Sequence, residues 1–187
     1  MPSGLSKSLP MGTNQSEEFF SHVLGKTWFC RSQRIDQMPK RDFHTRLVYA
    51  RRSPLFGALS YLLLKALGAE VPRSVEIGAG FTLVHGGFGV VIHPRSKIGK
   101  GVKIYPGVTL GRADIHLPME QSKFQGIEIG DEVILSPGSK VLCKEGVLRL
   151  GRGTVLGANA VLLESTGEGE VWAGLPAKKV GMREGWG

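Results

Sequence analysis

The chain has 187 residues, 41% of them hydrophobic, with 27 glycines and a formal net charge of +8. That suffices for one well-buried domain plus an accessory segment, carries too much glycine for a helical bundle, and lacks the three-residue glycine period of collagen. Cys30 and Cys143 are the only cysteines, which gives neither a disulfide framework nor a four-ligand zinc site. No apolar run approaches the ~20 residues of a membrane-spanning helix, so a reducing, cytoplasmic setting is the expectation.

Residues 1–16, rich in Ser, Gly and Pro, read as a disordered leader, and residues 17–73 as an α-helical N-terminal segment. Residues 1–73 hold 11 Lys or Arg against 5 Asp or Glu, so most of the positive excess lies ahead of residue 74. A helix is expected from about Arg41 to Arg52, and a second from Pro54 through the apolar stretch 55–67, stopped by Gly68. Arg41, Arg46, Arg51 and Arg52 beside that stretch raise peripheral contact with an anionic membrane surface as one expectation. A solvated helix face is the plainer one. The cations are not interleaved with aromatics, so nucleic acid is not an expected partner.

From Val75 onward the pattern changes. Ile92, Ile98, Ile104 and Leu110 stand six apart, and Val90, Ser96, Val102 and Val108 each lie two residues before one of them. The beat recurs at Ile77 and Leu83, at Ile129, Leu135 and Val141, and at Leu150, Leu156 and Leu162, with glycine following Ile77, Ile98, Leu110, Ile129, Leu150 and Leu156. Residues i and i+2 share a face of an extended segment, so short strands with a turn every six residues are indicated. Three such units per coil predict a mainly β protein, a parallel β-helix over residues 74–181 in which Ile92 stacks on Leu110, with a tail at 182–187. A β-sandwich places its turns ~8–12 residues apart without a fixed interval.

The beat is broken in three places. Leu83 to Ile92 and Val141 to Leu150 each span nine residues, and Leu110 to Ile129 spans nineteen. Insertions in repeats map to loops, often on the binding face. The first break sets His85 among glycines in Leu83-Val-His-Gly-Gly-Phe-Gly-Val-Val-Ile92; the longest holds His116 and reads as a projecting loop.

The beat, the His85 segment, Ile104-Tyr-Pro-Gly-Val-Thr-Leu-Gly111 and the closing Ala173-Gly-Leu-Pro-Ala-Lys-Lys-Val-Gly181 together resemble the hexapeptide-repeat acyltransferases, in their serine acetyltransferase-like branch, over about residues 69–181. The resemblance implies a left-handed β-helix, a homotrimer with active sites between subunits, and acetyl-CoA as acyl donor with no metal. It implies that His85 takes the proton of an acceptor hydroxyl and returns it to the leaving thiolate, a role suited to imidazole with its ordinary pKa of ~6.5. Glu70 aligns with the acidic partner of that base. Gly111, Pro137, Gly138, Gly157 and Ala158 fall at the CoA groove, and Lys140, Lys178 and Lys179 are the candidate phosphate partners. Oxyanion stabilisation falls to a backbone N–H in a glycine-rich turn, that of Gly86 or of Gly107.

The sequence also departs from the branch. Val84 stands where an acidic residue precedes the catalytic histidine, and Gln125 and Gly126 replace an Arg-His pair, with His116 an alternative second histidine from the long loop. The Ile-terminated tail that meets cysteine synthase is not matched by Arg183-Glu-Gly-Trp-Gly187, so no complex with cysteine synthase is expected. Those departures, with a short basic N-terminal segment, resemble the branch members of polysaccharide biosynthesis. The expected activity is therefore acetyl transfer to a hydroxyl of a sugar or polysaccharide precursor, with L-serine as the alternative small-molecule acceptor and a non-catalytic scaffold as a second alternative. A carbonic-anhydrase-like zinc site would need His85, His93 and His116 to converge, which their spacing disfavours. Nothing in the spacing ties a base to Cys143 as an acyl-carrying nucleophile.

Overall fold

The computed structural model describes residues 43–186, all within one compact unit. The expected leader and the segment before Phe43 lie outside the described residues.

Short parallel strands form three walls. The first contains β1 (Glu76–Ile77), β4 (Ser96–Ile98), β7 (Phe124–Ile129) and β10 (Gly146–Leu150). The second contains β2 (Thr82–Leu83), β5 (Lys103–Ile104), β8 (Ile134–Leu135), β11 (Val155–Leu156) and the closing pair β13 (Glu170–Gly174) and β14 (Ala177–Met182). The third contains β3 (Val91–Ile92), β6 (Thr109–Arg112), β9 (Lys140–Cys143) and β12 (Val161–Leu162).

The register follows the six-residue beat. Ile77, Ile98, Ile129 and Leu150 are successive partners in the first wall. Leu83, Ile104, Leu135, Leu156 and Trp172 follow one another in the second, and Ile92, Leu110, Val141 and Leu162 in the third. Val90, Val102, Val108 and Val133, each two residues before one of them, are buried too, because i and i+2 point the same way along a strand. Ser96, Ser139 and Thr154 occupy the same inward positions. Full burial of each Val, Leu or Ile contributes about 1.5–3 kcal/mol, so the stability of this prism is spread evenly along its axis.

One corner between walls is built from backbone packed on backbone. A Cβ at Gly99 would stand 2.8 Å from Gly130 C and 2.8 Å from Asp131 N, and one at Gly130 would stand 2.8 Å from Arg152 N. Glycine after the apolar residue is therefore a steric requirement here.

The N-terminal end is closed by two helices, α1 (Phe43–Ala50) and α2 (Gly57–Ala66); α1 ends before Arg52, and α2 is shorter than the sequence suggests. Gly68, at φ 84°, ends α2: its N–H meets Lys65 O, and that of Ala69 meets Leu64 O. Among the described residues no coil precedes the first one, and side chains of α1 and the residue after it supply hydrogen-bond partners there. Thr45 Oγ1 accepts from Leu83 N–H at 3.1 Å. The Tyr49 hydroxyl accepts from Phe81 N–H at 3.1 Å and donates to Gly78 O at 2.8 Å. Arg51, only 1% exposed, donates to the carbonyls of Val48, Pro72 and Val75, and burial with Arg52 nearby lowers its pKa to about 10.

At the far end β14 turns back antiparallel on β13. Trp186 then lies over Gly153 and Gly169, with the guanidinium groups of Arg152 and Arg183 at 4.9 and 5.2 Å from its ring centroid.

Candidate active site

After Leu83 the extra residues of the first break fold into a tight turn, Val84–Gly87. His85 takes a left-handed backbone, φ 51° and ψ 36°, followed by Gly86 at φ 76°. A non-glycine residue held there marks local strain that the surroundings must overdetermine. They do so with hydrogen bonds from outside the turn. Leu83 N–H is held by Thr45, Gly89 N–H donates to Gly68 O at 2.7 Å, and Phe88 O accepts from Gly107 N–H at 2.7 Å. The His85 imidazole is exposed, with its ring centroid 6.3 Å from that of Tyr105 in an edge arrangement.

From this turn a ladder of corner residues runs along the axis. Phe88 O accepts from Gly107 N–H, Pro106 O from Gly138 N–H at 2.8 Å, and Pro137 O from Asn159 N–H at 2.9 Å. Gly107, Gly138 and Asn159 all have positive φ. Pro137 and Ala158 are exposed on this corner, Gly111 is half-buried in β6, and Gly157 donates its N–H to Trp172 O at 2.8 Å.

The three lysines differ in their circumstances. Lys140 lays its ammonium on Gly107 O at 2.5 Å, against the ladder. Lys179 pairs with Glu170 at 2.8 Å, and Glu170 also accepts from Trp172 Nε1 at 2.9 Å and Gly167 N–H at 2.6 Å. Lys179 and Trp172 hold that carboxyl below its ordinary range against the opposing effect of burial. Lys178 meets Glu164 at 3.2 Å with both side chains well exposed, a pair weak enough to exchange for another anion.

Glu70 lies beside β3: its N–H donates to Val90 O at 2.8 Å and its carbonyl accepts from Ile92 N–H at 3.0 Å. Its carboxylate takes the Tyr61 hydroxyl and the Lys65 ammonium, both at 3.5 Å, the long limit of a hydrogen bond. Its side-chain contacts in the structure are thus with α2.

His116 is exposed in the segment between β6 and β7. That segment is stapled at its stem and does not simply project as the sequence suggests. Asp114, 3% exposed, accepts from the Ser122 hydroxyl at 2.6 Å and faces Arg112 Nε at 3.4 Å. Arg112 also donates to Leu117 O at 2.9 Å. The Ser122 hydrogen bond, with Arg112 assisting, keeps the Asp114 carboxyl below its usual range despite burial. His93 packs edge-on against Phe124 at 4.6 Å; burial and the cations Arg95 and Arg112 lower its pKa. Among the described residues no group of three His, Cys, Asp or Glu side chains converges as a metal site.

Sequence reasoning missed the grip of α1 on the His85 turn. Thr45 and Leu83 are 38 residues apart, and no local pattern joins them. His44, the residue before Thr45, also lies against Gly86.

A parallel prism of six-residue units, interrupted by a strained histidine turn, is the architecture that the resemblance to the hexapeptide-repeat acyltransferases implies. A scan against protein-family models finds no match. The chain is 36% identical over 126 residues to a serine acetyltransferase of Helicobacter pylori, covering 66% of this chain and 67% of that protein. It is 34% identical over 123 residues to one from Bacillus licheniformis, covering 66% of this chain and 53% of that protein. Among solved structures, serine acetyltransferase of Neisseria gonorrhoeae superposes with a TM-score of 0.61 at 23% identity, over 74% of this chain and 54% of the other. The Brucella abortus enzyme in complex with coenzyme A gives 0.58 at 22%, over 75% and 54%. The fold is thus the left-handed β-helix. The chain belongs to the serine acetyltransferase family. It spans little more than half the length of several of these relatives. These relatives are named serine acetyltransferases; none of them is named for a sugar acceptor.

Proposed function

We propose that this protein transfers the acetyl group of acetyl-CoA to the hydroxyl of a small acceptor, with L-serine as that acceptor and His85 as the general base. The observation that carries the reading is the 36% identity to a serine acetyltransferase across a segment that includes the His85 turn. His85 accepts the acceptor's hydroxyl proton as the oxygen attacks the thioester carbon. The new C–O bond forms, the C–S bond breaks, and the imidazolium returns the proton to the departing thiolate. Gly107 N–H is engaged by Phe88 O, so the N–H of Gly86 is the oxyanion donor in this proposal.

The corner ladder through Pro137 and Ala158 fits the CoA arm, with Lys178 the phosphate partner whose present ion pair is easiest to exchange. Lys140 and Lys179 contribute through Gly107 O and Glu170. Glu70 supports His85 only by leaving its contacts with Tyr61 and Lys65, and His116 enters as a second histidine at a neighbouring subunit's site in a homotrimer.

A specific observation keeps a sugar hydroxyl as the second reading. A Cβ at Gly126 would stand 2.7 Å from Arg95 O, so no side chain fits where the branch carries its second histidine. An acceptor panel with free L-serine and nucleotide or lipid-linked sugars, at fixed acetyl-CoA and with thiol release as readout, tests both. Saturable turnover of serine supports the first reading; turnover of a sugar alone replaces it with the second.

Peripheral membrane contact also belongs to the proposal. Leu55, Phe56, Leu59 and Leu62 form an exposed apolar stripe on and before α2, and residues 43–69 contain no Asp or Glu. Co-sedimentation with anionic but not neutral vesicles is the expected result, abolished by Leu59→Asp. Among the described residues no helix is long and apolar enough to cross a membrane.

A further inference from the structure

Helix α1 touches the His85 turn through two consecutive residues. Thr45 holds Leu83 N–H, as described, and His44 lies flat against the next part of the turn. A Cβ at Gly86 would stand 3.0 Å from His44 Cε1, 3.1 Å from Nδ1 and 3.2 Å from Nε2, so the ring occupies the space a side chain at Gly86 would need. The ring is framed edge-on by Phe43 at 6.1 Å and Phe88 at 5.7 Å between centroids. Its Nε2 is buried and has no hydrogen-bond partner.

Packing alone does not account for this residue. A phenyl ring has nearly the same outline, would meet the same neighbours, and would bury no unsatisfied nitrogen. An imidazole kept in an apolar frame next to a strained turn departs from the local rule, and such departures gather at functional sites. The two imidazoles are separated by one glycine, and that glycine shares the left-handed backbone that aims His85.

We propose that His44 is a positioning residue for His85: its ring fixes the Gly86 backbone, and its Nε2 becomes a hydrogen-bond partner of the turn when donor and acceptor fill the site. The inference rests on His85 being the general base. The free chain then holds the turn by packing, and the loaded chain adds a polar contact to the same brace.

The test compares His44→Phe and His44→Ala in the full chain. His44→Phe is expected to melt no lower than the wild type, yet to lose about 10- to 100-fold in kcat, with KM for acetyl-CoA nearly unchanged. The acidic limb of its kcat against pH should move, and the His85 imidazole, followed by nitrogen NMR across pH, should move with it. His44→Ala should lose as much activity and also melt lower. A His44→Phe enzyme with wild-type kcat and an unchanged His85 titration overturns the proposal and reduces His44 to packing. If the wild type releases no thiol with any acceptor, the reading of His85 as base fails, whereas the His85 titration in His44→Phe still decides whether His44 governs that imidazole.

Discussion

Two corners of the prism are built on opposite principles. At the corner lined by Gly78, Gly99 and Gly130, each turn sits directly on the next, and a single added carbon would collide with backbone. At the corner that begins with Val84–Gly87, three extra residues push the chain out of the stack, and the turn takes hydrogen bonds from α1 and Gly68 as well as from the coil that follows. The first corner is stable because it repeats. The second holds His85 in a left-handed backbone because it does not repeat, and helix contacts secure what repetition cannot.

The comparison is broken most directly at His85. Replacing it with alanine should lower thiol release from acetyl-CoA by about 10²- to 10⁴-fold with little change in melting temperature. A loss below tenfold would mean that the irregular corner is not catalytic. Gly99→Ala should do the reverse, costing about 1–3 kcal/mol in denaturant unfolding through overpacking while the folded fraction keeps its specific activity.

Thr45→Val joins the two effects, since it leaves Leu83 N–H buried without its acceptor. About 1–2 kcal/mol of stability should go, together with part of kcat, and a full kcat would show that the turn stands without α1.

A smaller effect belongs to Glu170, whose folded pKa lies below the ordinary 4.5, chiefly through Lys179 and Trp172. The unfolded chain takes up that proton first, so the contribution is complete above pH 4.5 and disappears as pH falls through the lower folded value. Melting curves of wild type and Glu170→Gln should therefore differ at neutral pH and converge in acid. The smallest effect is expected from Arg149→Ala, which breaks an exposed pair with Glu128 at 2.8 Å and should cost at most ~1 kcal/mol.

The walls of the prism were legible because their information is local and periodic. Ile92, Ile98, Ile104 and Leu110 announce both the turn interval and the inward face, and Ile92 does pair with Leu110. His85 was legible as an interruption of that period. What supports it was not, because the contacts that Thr45, Tyr49 and Arg51 make with the first coil cross 21 to 38 residues and leave no trace in spacing. Arg112 and Asp114 are close in sequence, yet only their burial shows them closing the loop upon itself. Gly126 is instructive in another way: its sequence position shows a missing histidine, and only the approach of Arg95 O shows that none fits.

The hairpin of β13 and β14 also changes what the last edge of the second wall offers to another chain. A stack of parallel strands presents at its last coil the same row of unpaired amides and carbonyls that the next copy would present at its first, and two molecules could continue one another without limit. Here the last strand runs the wrong way for that continuation and carries Lys178 and Lys179 on its length, while the first coil has its exposed groups taken by tyrosine, threonine and arginine side chains. Among the described residues the second wall thereby ends in a strand that a parallel copy cannot continue in register.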